Sequence, residues 1–128
     1  MKITKAFYLQ FAGNSASTQI TVPFQVARIH VKGIAYNPQN NPVAGSAQYG
    51  VIQTDLTDNQ PIGIFYNDAT YSFSSFKDID LTLYTPKTIN GTYTFNLVND
   101  VGNPYTPVGA GVDSVIIILE FNDINEIK

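Results

Sequence analysis

The sequence has one histidine, His30, and it stands between Arg28 and Lys32 at alternate positions. A Ser–His–acid hydrolase would have to use it, because no other imidazole is present to carry the proton. No nucleophile elbow lies near it, and no carboxylate is close in sequence to orient the ring. A histidine on a strand surface is the simpler assignment. Arg28, His30 and Lys32 recur with period two, which puts them on one face of an extended chain as a basic strip. The strip could meet a phosphate, or an acidic patch on a neighbouring subunit. Three cations in an acidic chain, without interleaved aromatic residues on which bases could stack, are too few for a nucleic-acid surface.

The carboxylates point to no stronger chemistry. Asp78 and Asp80, with Asp55, Asp58 and Asp68 in turn-forming stretches, could in principle gather around a hard cation. Calcium takes about six to eight oxygens, and the Asp-x-Asp-x-Asn-Gly loop that supplies them is absent. Asp78 and Asp80 alternate with Ile79 and Leu81 and read as solvated strand charges. No cleft with two carboxylates of divergent acidity, as glycoside cleavage requires, is suggested. Neither a metal nor a cofactor is expected. The chain holds eight Tyr and no Trp. A lectin platform would favour Trp, whereas Tyr also suits strand faces and protein interfaces. Asn90-Gly91-Thr92 matches a glycosylation sequon, but Asn90-Gly91 is equally the signal of a tight hairpin turn.

These residues sit on short segments of alternating polarity. Ile3, Phe7, Leu9 and Phe11 share one face of a first strand, and Thr18 to Val22 form a second, ended by Pro23. Phe24 to Tyr36 changes phase at Ala27-Arg28, so a β-bulge or bend is expected there. Asn37 to Ser46 is a loop. Strands follow at Ala47 to Asp55 and at Ile62 to Tyr66, separated by the turn Asp58-Asn59-Gln60-Pro61. Asp78 to Tyr84 and Thr92 to Leu97 alternate cleanly, with a loop over Pro86 to Gly91. Asn99 to Val112 is a long Gly- and Pro-bearing loop, of a length that usually carries function or is clamped by a partner.

Val115-Ile116-Ile117-Ile118-Leu119 is the most apolar run, β-branched almost throughout, and therefore a strand. A strand apolar at odd and even positions is covered on both faces. The larger odd set, Val115, Ile117, Leu119 and Phe121, is expected in the core. Ile116 and Ile118 would then meet a covering segment or a partner, and Asn122 to Lys128 would be a polar tail.

The chain has 128 residues, no Cys, 13% charged residues and a net charge of −3. That length suits one domain over residues 1–128 with enough core to fold without disulfides. The low charge leaves a surface of Asn, Thr, Gln, Ser and Tyr, which is cheap to desolvate and suits assembly. Met1 to Phe7 lacks the continuous apolar core of a signal peptide, and neither nucleic acid nor membrane insertion is expected. Eight short strands without helical periodicity predict an all-β fold: an eight-stranded antiparallel β-sandwich, a single jelly roll.

A Cys-free, low-charge, eight-strand chain ending in Val115-Ile116-Ile117-Ile118-Leu119-Glu120-Phe121 resembles the small single jelly-roll capsid proteins of icosahedral viruses. It is most similar to the vertex (penton) proteins of tailless viruses whose main shell protein is a double jelly roll. The resemblance implies a non-enzymatic viral structural protein, present in the virion and cytoplasmic before assembly. It implies a homopentamer at capsid vertices that contacts the major capsid protein. Subunit contacts are expected at Arg28, His30, Lys32, Tyr105, Ile116, Ile118 and Asn122. The alternative is a carbohydrate- or receptor-binding β-sandwich, a fibre head or lectin-like module, using Tyr36, the Asn37 to Ser46 loop and Tyr105. A hydrolase built on His30 ranks behind both.

Overall fold

The period-two segments become nine strands in the computed structural model, which describes residues 1–11, 14–37, 47–68, 72–75, 79–99 and 113–127. In chain order they are β1 (Lys2–Phe11), β2 (Ser15–Thr21), β3 (Val26–Asn37), β4 (Ala47–Thr54), β5 (Pro61–Asp68), β6 (Ser72–Ser75), β7 (Ile79–Lys87), β8 (Asn90–Asn99) and β9 (Asp113–Asn122). One sheet runs β1-β9-β3-β7 and the other β2-β8-β4-β5-β6, and all pairings are antiparallel. With the four-residue β6 set aside, each sheet holds four strands, and the chain alternates between the sheets except at the β4–β5 hairpin. That interleaving is the expected jelly roll. β6 adds a short extra strand beside β5.

The core is the space between the inner faces. Along β9 the odd residues Val115, Ile117, Leu119 and Phe121 are at most 1% exposed, while Ile116 and Ile118 are 43% and 36% exposed. On β1, Leu9 and Phe11 are buried, with Ile3 and Phe7 packed against the same cluster. From the second sheet come Ile20, Ile52, Ile62, Phe95 and Leu97. Each such side chain contributes roughly 1.5–3 kcal/mol by leaving water.

The phase change expected at Ala27-Arg28 falls on a register shift between β3 and β7, between Val26 and Arg28. A second shift, against β9 between Val31 and Gly33, was not expected, although the buried set passes there from odd Val31 to even Ile34. It leaves Lys32 as the extra residue of a bulge. The turn expected at Asp58 to Pro61 is present, preceded by a 3-10 turn at Asp55–Thr57. Asp58 and Asn59 take left-handed φ of 55° and 64°, a conformation that Asn and Asp tolerate better than most residues. Thr54 Oγ1 accepts from Leu56 N at 3.2 Å and caps that turn.

Two sequence expectations fail here. Asn90 and Gly91 do not form a hairpin turn: they open β8, opposite Thr21 and Ile20 of β2. The Pro86 to Gly91 loop shrinks to Thr88 and Ile89, because β7 and β8 lie in different sheets and a crossing, not a hairpin, joins them. Asn122 to Lys128 is likewise not a free tail. Asn122 and Asp123 are buried, and Ile124–Ile127 forms a 3-10 turn. Asp123 N donates to Met1 O at 3.1 Å, and the Met1 ammonium lies 2.9 Å from Asp123 Oδ1.

Candidate interaction surface

The outer face of the first sheet carries most of the residues singled out above. Strand register sets them in rows. Tyr8, Ile116 and Ala35 form one row; Ala6, Ile118 and Gly33 form the next. Thr4, Glu120, His30 and Asp80 lie in a third, and Lys2, Asn122, Arg28 and Thr82 in a fourth. Alternation makes β9 present Ile116 and Ile118 outward; beside them β3 offers only Gly33 and Ala35, and β1 offers Ala6 and Tyr8. Small neighbours beside two isoleucines leave a depression of about 250 Å³, lined by Lys32, Gly33, Ile34, Ala35, Ile116 and Ile118.

Tyr8 borders the depression and is 61% exposed. Its Oη lies 3.1 Å from Ser114 Oγ, and Gln10 Nε2 donates to it at 3.4 Å. These bonds, Ser114 first and Gln10 second, hold the phenol below its ordinary pKa of 10.0. At the other end the face turns ionic. The bulge pushes Lys32 into solvent, and the register sets His30 between Glu120 and Asp80. Neither acid was legible beside His30 in the sequence, because both come from distant strands.

Arg28, His30, Lys32, Ile116 and Ile118 thus share one face. Asn122 belongs to it by register only. It is 1% exposed and its amide donates to Glu120 Oε1 at 3.3 Å, so its side chain is engaged inside the sheet and is not offered to a partner. Tyr105, the Asn37 to Ser46 loop beyond Asn37 and the Asn99 to Val112 loop from Asp100 lie outside the described residues. Among the described residues no group of three or more His, Cys, Asp or Glu could hold a metal ion, and no helix is long and apolar enough to cross a membrane.

The outer face of β2 and β8 is different in kind, and sequence reasoning passed over it. Ser15 Oγ donates to Asn96 Oδ1 at 2.9 Å, Ser17 Oγ pairs with Thr94 Oγ1 at 3.0 Å, Thr92 Oγ1 donates to Gln19 Oε1 at 3.3 Å, and Thr21 Oγ1 donates to Asn90 Oδ1 at 3.1 Å. This ladder of hydroxyls and amides carries no charge. Its signal in the sequence is the period-two set Ser15, Ser17, Gln19, Thr21 facing Asn90, Thr92, Thr94, Asn96.

No family model matches the chain, and no curated protein matches it. Among solved structures it is similar to the CBM36-1 domain of a multidomain xylanase from the hindgut metagenome of Trinervitermes trinervoides. The identity is 16%, the match covers 89% of this chain and 76% of that one, and the TM-score is 0.29.

Proposed function

We propose that this chain is a viral structural protein: a single jelly-roll capsid subunit that forms vertices as a homopentamer and contacts the major capsid protein. On this reading it has no catalytic role and resides in the virion, having been cytoplasmic before assembly. The observation that carries the proposal is the apolar stripe of Tyr8, Ile116 and Ile118 across the middle of an outer sheet face, exposed by 61%, 43% and 36%. An outward antiparallel face is normally polar, and adjoining exposed apolar side chains mark surfaces made to be covered. The flanking Lys32, His30 and Glu120 supply both signs of charge, which fits orientation of a subunit contact more than general attraction to a polyanion.

Native mass of the purified chain tests the reading. A five-membered ring, lost in an Ile116→Asp, Ile118→Asp double variant that still folds, is the expected result. A monomer at millimolar concentration that also fails to bind the shell protein would overturn it. The second reading, a carbohydrate- or receptor-binding module, draws on Tyr8, an exposed ring with polar Gln10 and Ser114 attached. Glycan binding abolished by Tyr8→Ala in a chain that stays monomeric would favour it.

A further inference from the structure

A sheet edge is a row of unpaired N–H and C=O groups, and proteins blunt such edges with Lys, Pro, bulges or shortness. Among the described residues, three of the four sheet edges carry such a device. β1 has Lys2 and Lys5, and Lys5 falls on the core-facing side of the strand. β7 contains Asp80, Pro86 and Lys87. β6 is four residues long. β2 has none of these. It is seven residues, Ser-Ala-Ser-Thr-Gln-Ile-Thr, with no charge and no Pro, and its register with β8 is unbroken from Ser15 to Thr21.

Which groups β2 offers follows from two bonds at its ends. Leu97 N donates to Asn14 O at 2.8 Å and Val22 N donates to Ile89 O at 3.0 Å. In an antiparallel ladder the residues that bond inward alternate with those that bond outward. Even residues of β2 therefore bond to β8, and the N–H and C=O of Ser15, Ser17, Gln19 and Thr21 point to the open edge. Among the described residues β2 pairs with β8 only.

We propose that this edge is a docking site for a second copy of the same chain, through antiparallel β2–β2 pairing about a two-fold axis at Thr18. That register sets Ser17 opposite the partner's Gln19 and Ser15 opposite the partner's Thr21, so every outward N–H and C=O meets its complement. On the outer face it extends the uncharged Ser/Thr/Gln ladder already formed with β8. On the inner face it sets large Ile20 against small Ala16. No like charges meet, because the strand carries none. The contact is isologous and cannot by itself close a ring of five. If five-fold rings form through the first sheet, β2 joins one ring to another. The inference rests on strand geometry and stands or falls apart from the capsid reading.

The chain has no Cys, so an introduced thiol is unique. At the axis, Thr18 and its mate form a non-hydrogen-bonded pair with Cα atoms about 4.5 Å apart, within the roughly 4.4–6.8 Å span of a disulfide. Two Ser15 residues would be about 20 Å apart along the strands. Thr18→Cys is expected to cross-link quantitatively to a dimer under mild oxidation, and Ser15→Cys is not. The unmodified chain should sediment as a dimer, or as two rings joined through β2 where five-fold rings form. Gln19→Pro removes an outward N–H and leaves the backbone bonds to β8 in place, losing only the side-chain bond from Thr92. It should weaken association by roughly a hundredfold, each of two symmetric sites losing a bond worth about tenfold. Gln60→Lys, at an exposed turn position before β5 and three strands away from β2 in the same sheet, should leave association unchanged. Equal cross-linking of the two Cys variants, a monomeric parent chain, or unweakened association of Gln19→Pro would each overturn the proposal. Should Gln19→Pro fail to fold, the Cys pair alone decides.

Discussion

Ile34 of β3 rests its terminal methyl over Gly63 of β5, so the two sheets meet at a position with no side chain. A Cβ at Gly63 would overlap Ile34 Cδ1 and come within 3.8 Å of Ile52 Cδ1. Both isoleucines are buried, at 4% and 0% exposure, so neither can swing clear into solvent. Gly63→Ala should cost about 1–3 kcal/mol by overpacking. Ile34→Val removes the offending methyl and should cost about 0.5–1.5 kcal/mol alone. Combined, the two should cost less than their sum, with a coupling of at least about 0.5 kcal/mol in urea melts. Additive costs would mean that the sheets are not in contact there. Gly91→Ala, with nothing within 4 Å, should be neutral or slightly stabilising.

Asp55 completes a ladder that its own backbone leaves. β4 pairs with β8 as far as Thr54 opposite Phe95, then turns away. The next N–H, of Thr94, donates to Asp55 Oδ1 at 3.0 Å. Asp55→Ala should cost about 1–2 kcal/mol and speed hydrogen exchange at the Thr94 amide more than at its neighbours. Asp55→Asn keeps an acceptor oxygen and should cost less. Unchanged Thr94 exchange in the alanine variant would refute this role.

Alternation along β9 gives a parity rule. Ile117→Ala empties a fully buried site and should cost about 2–5 kcal/mol. Ile116→Ala, at a site 43% exposed, should cost under about 1 kcal/mol. Thermal melts at a dilution where the chain is monomeric check the ratio. Comparable losses at both sites would mean that Ile116 is already covered.

Tyr8 offers a titration. Hydrogen bonding to Ser114, and then to Gln10, lowers its pKa below 10.0. The folded state thus favours the phenolate. That contribution to stability is present above the ordinary tyrosine pKa, is lost as pH falls through the folded value, and is absent at neutral pH. Ser114→Ala should move the Tyr8 midpoint upward, followed by ultraviolet difference spectra or by NMR. An unmoved midpoint would show that the bond to Ser114 does not persist in solution.

Local chemistry made much of this fold legible. The parity of β9, the break at Ala27-Arg28 and the left-handed pair Asp58-Asn59 all follow from side-chain type and spacing over a few residues. Errors arose where distant pairing overrides local preference. Asn90-Gly91 has the composition of a hairpin turn, yet cross-strand bonding to Thr21 and Ile20 holds it extended. Asn122 looks like the start of a solvated tail, but it ends a strand flanked by Lys2 and Arg28. The acids opposite His30 are 50 and 90 residues away in sequence, brought there by β7 and β9. No short-range signal announces such partners. The apolar stripe was legible as a pair, Ile116 and Ile118. Its third member, Tyr8, is set beside Ile116 only by strand pairing, which no local signal announces.

β9 lies between β1 and β3, and it is the last of the nine strands to leave the ribosome. Until it arrives, β1 and β3 have no common partner, and the apolar inner faces of both stand open. Sheet one cannot be nucleated from early, local pieces. Folding must wait for the far end of the chain, and it falls in the slow regime of long-range β topologies, roughly milliseconds to seconds. During that interval unpaired strand edges are exposed to other nascent chains. The uncharged β2 is among the first of these edges to emerge, so crowded synthesis favours association before the sandwich has closed.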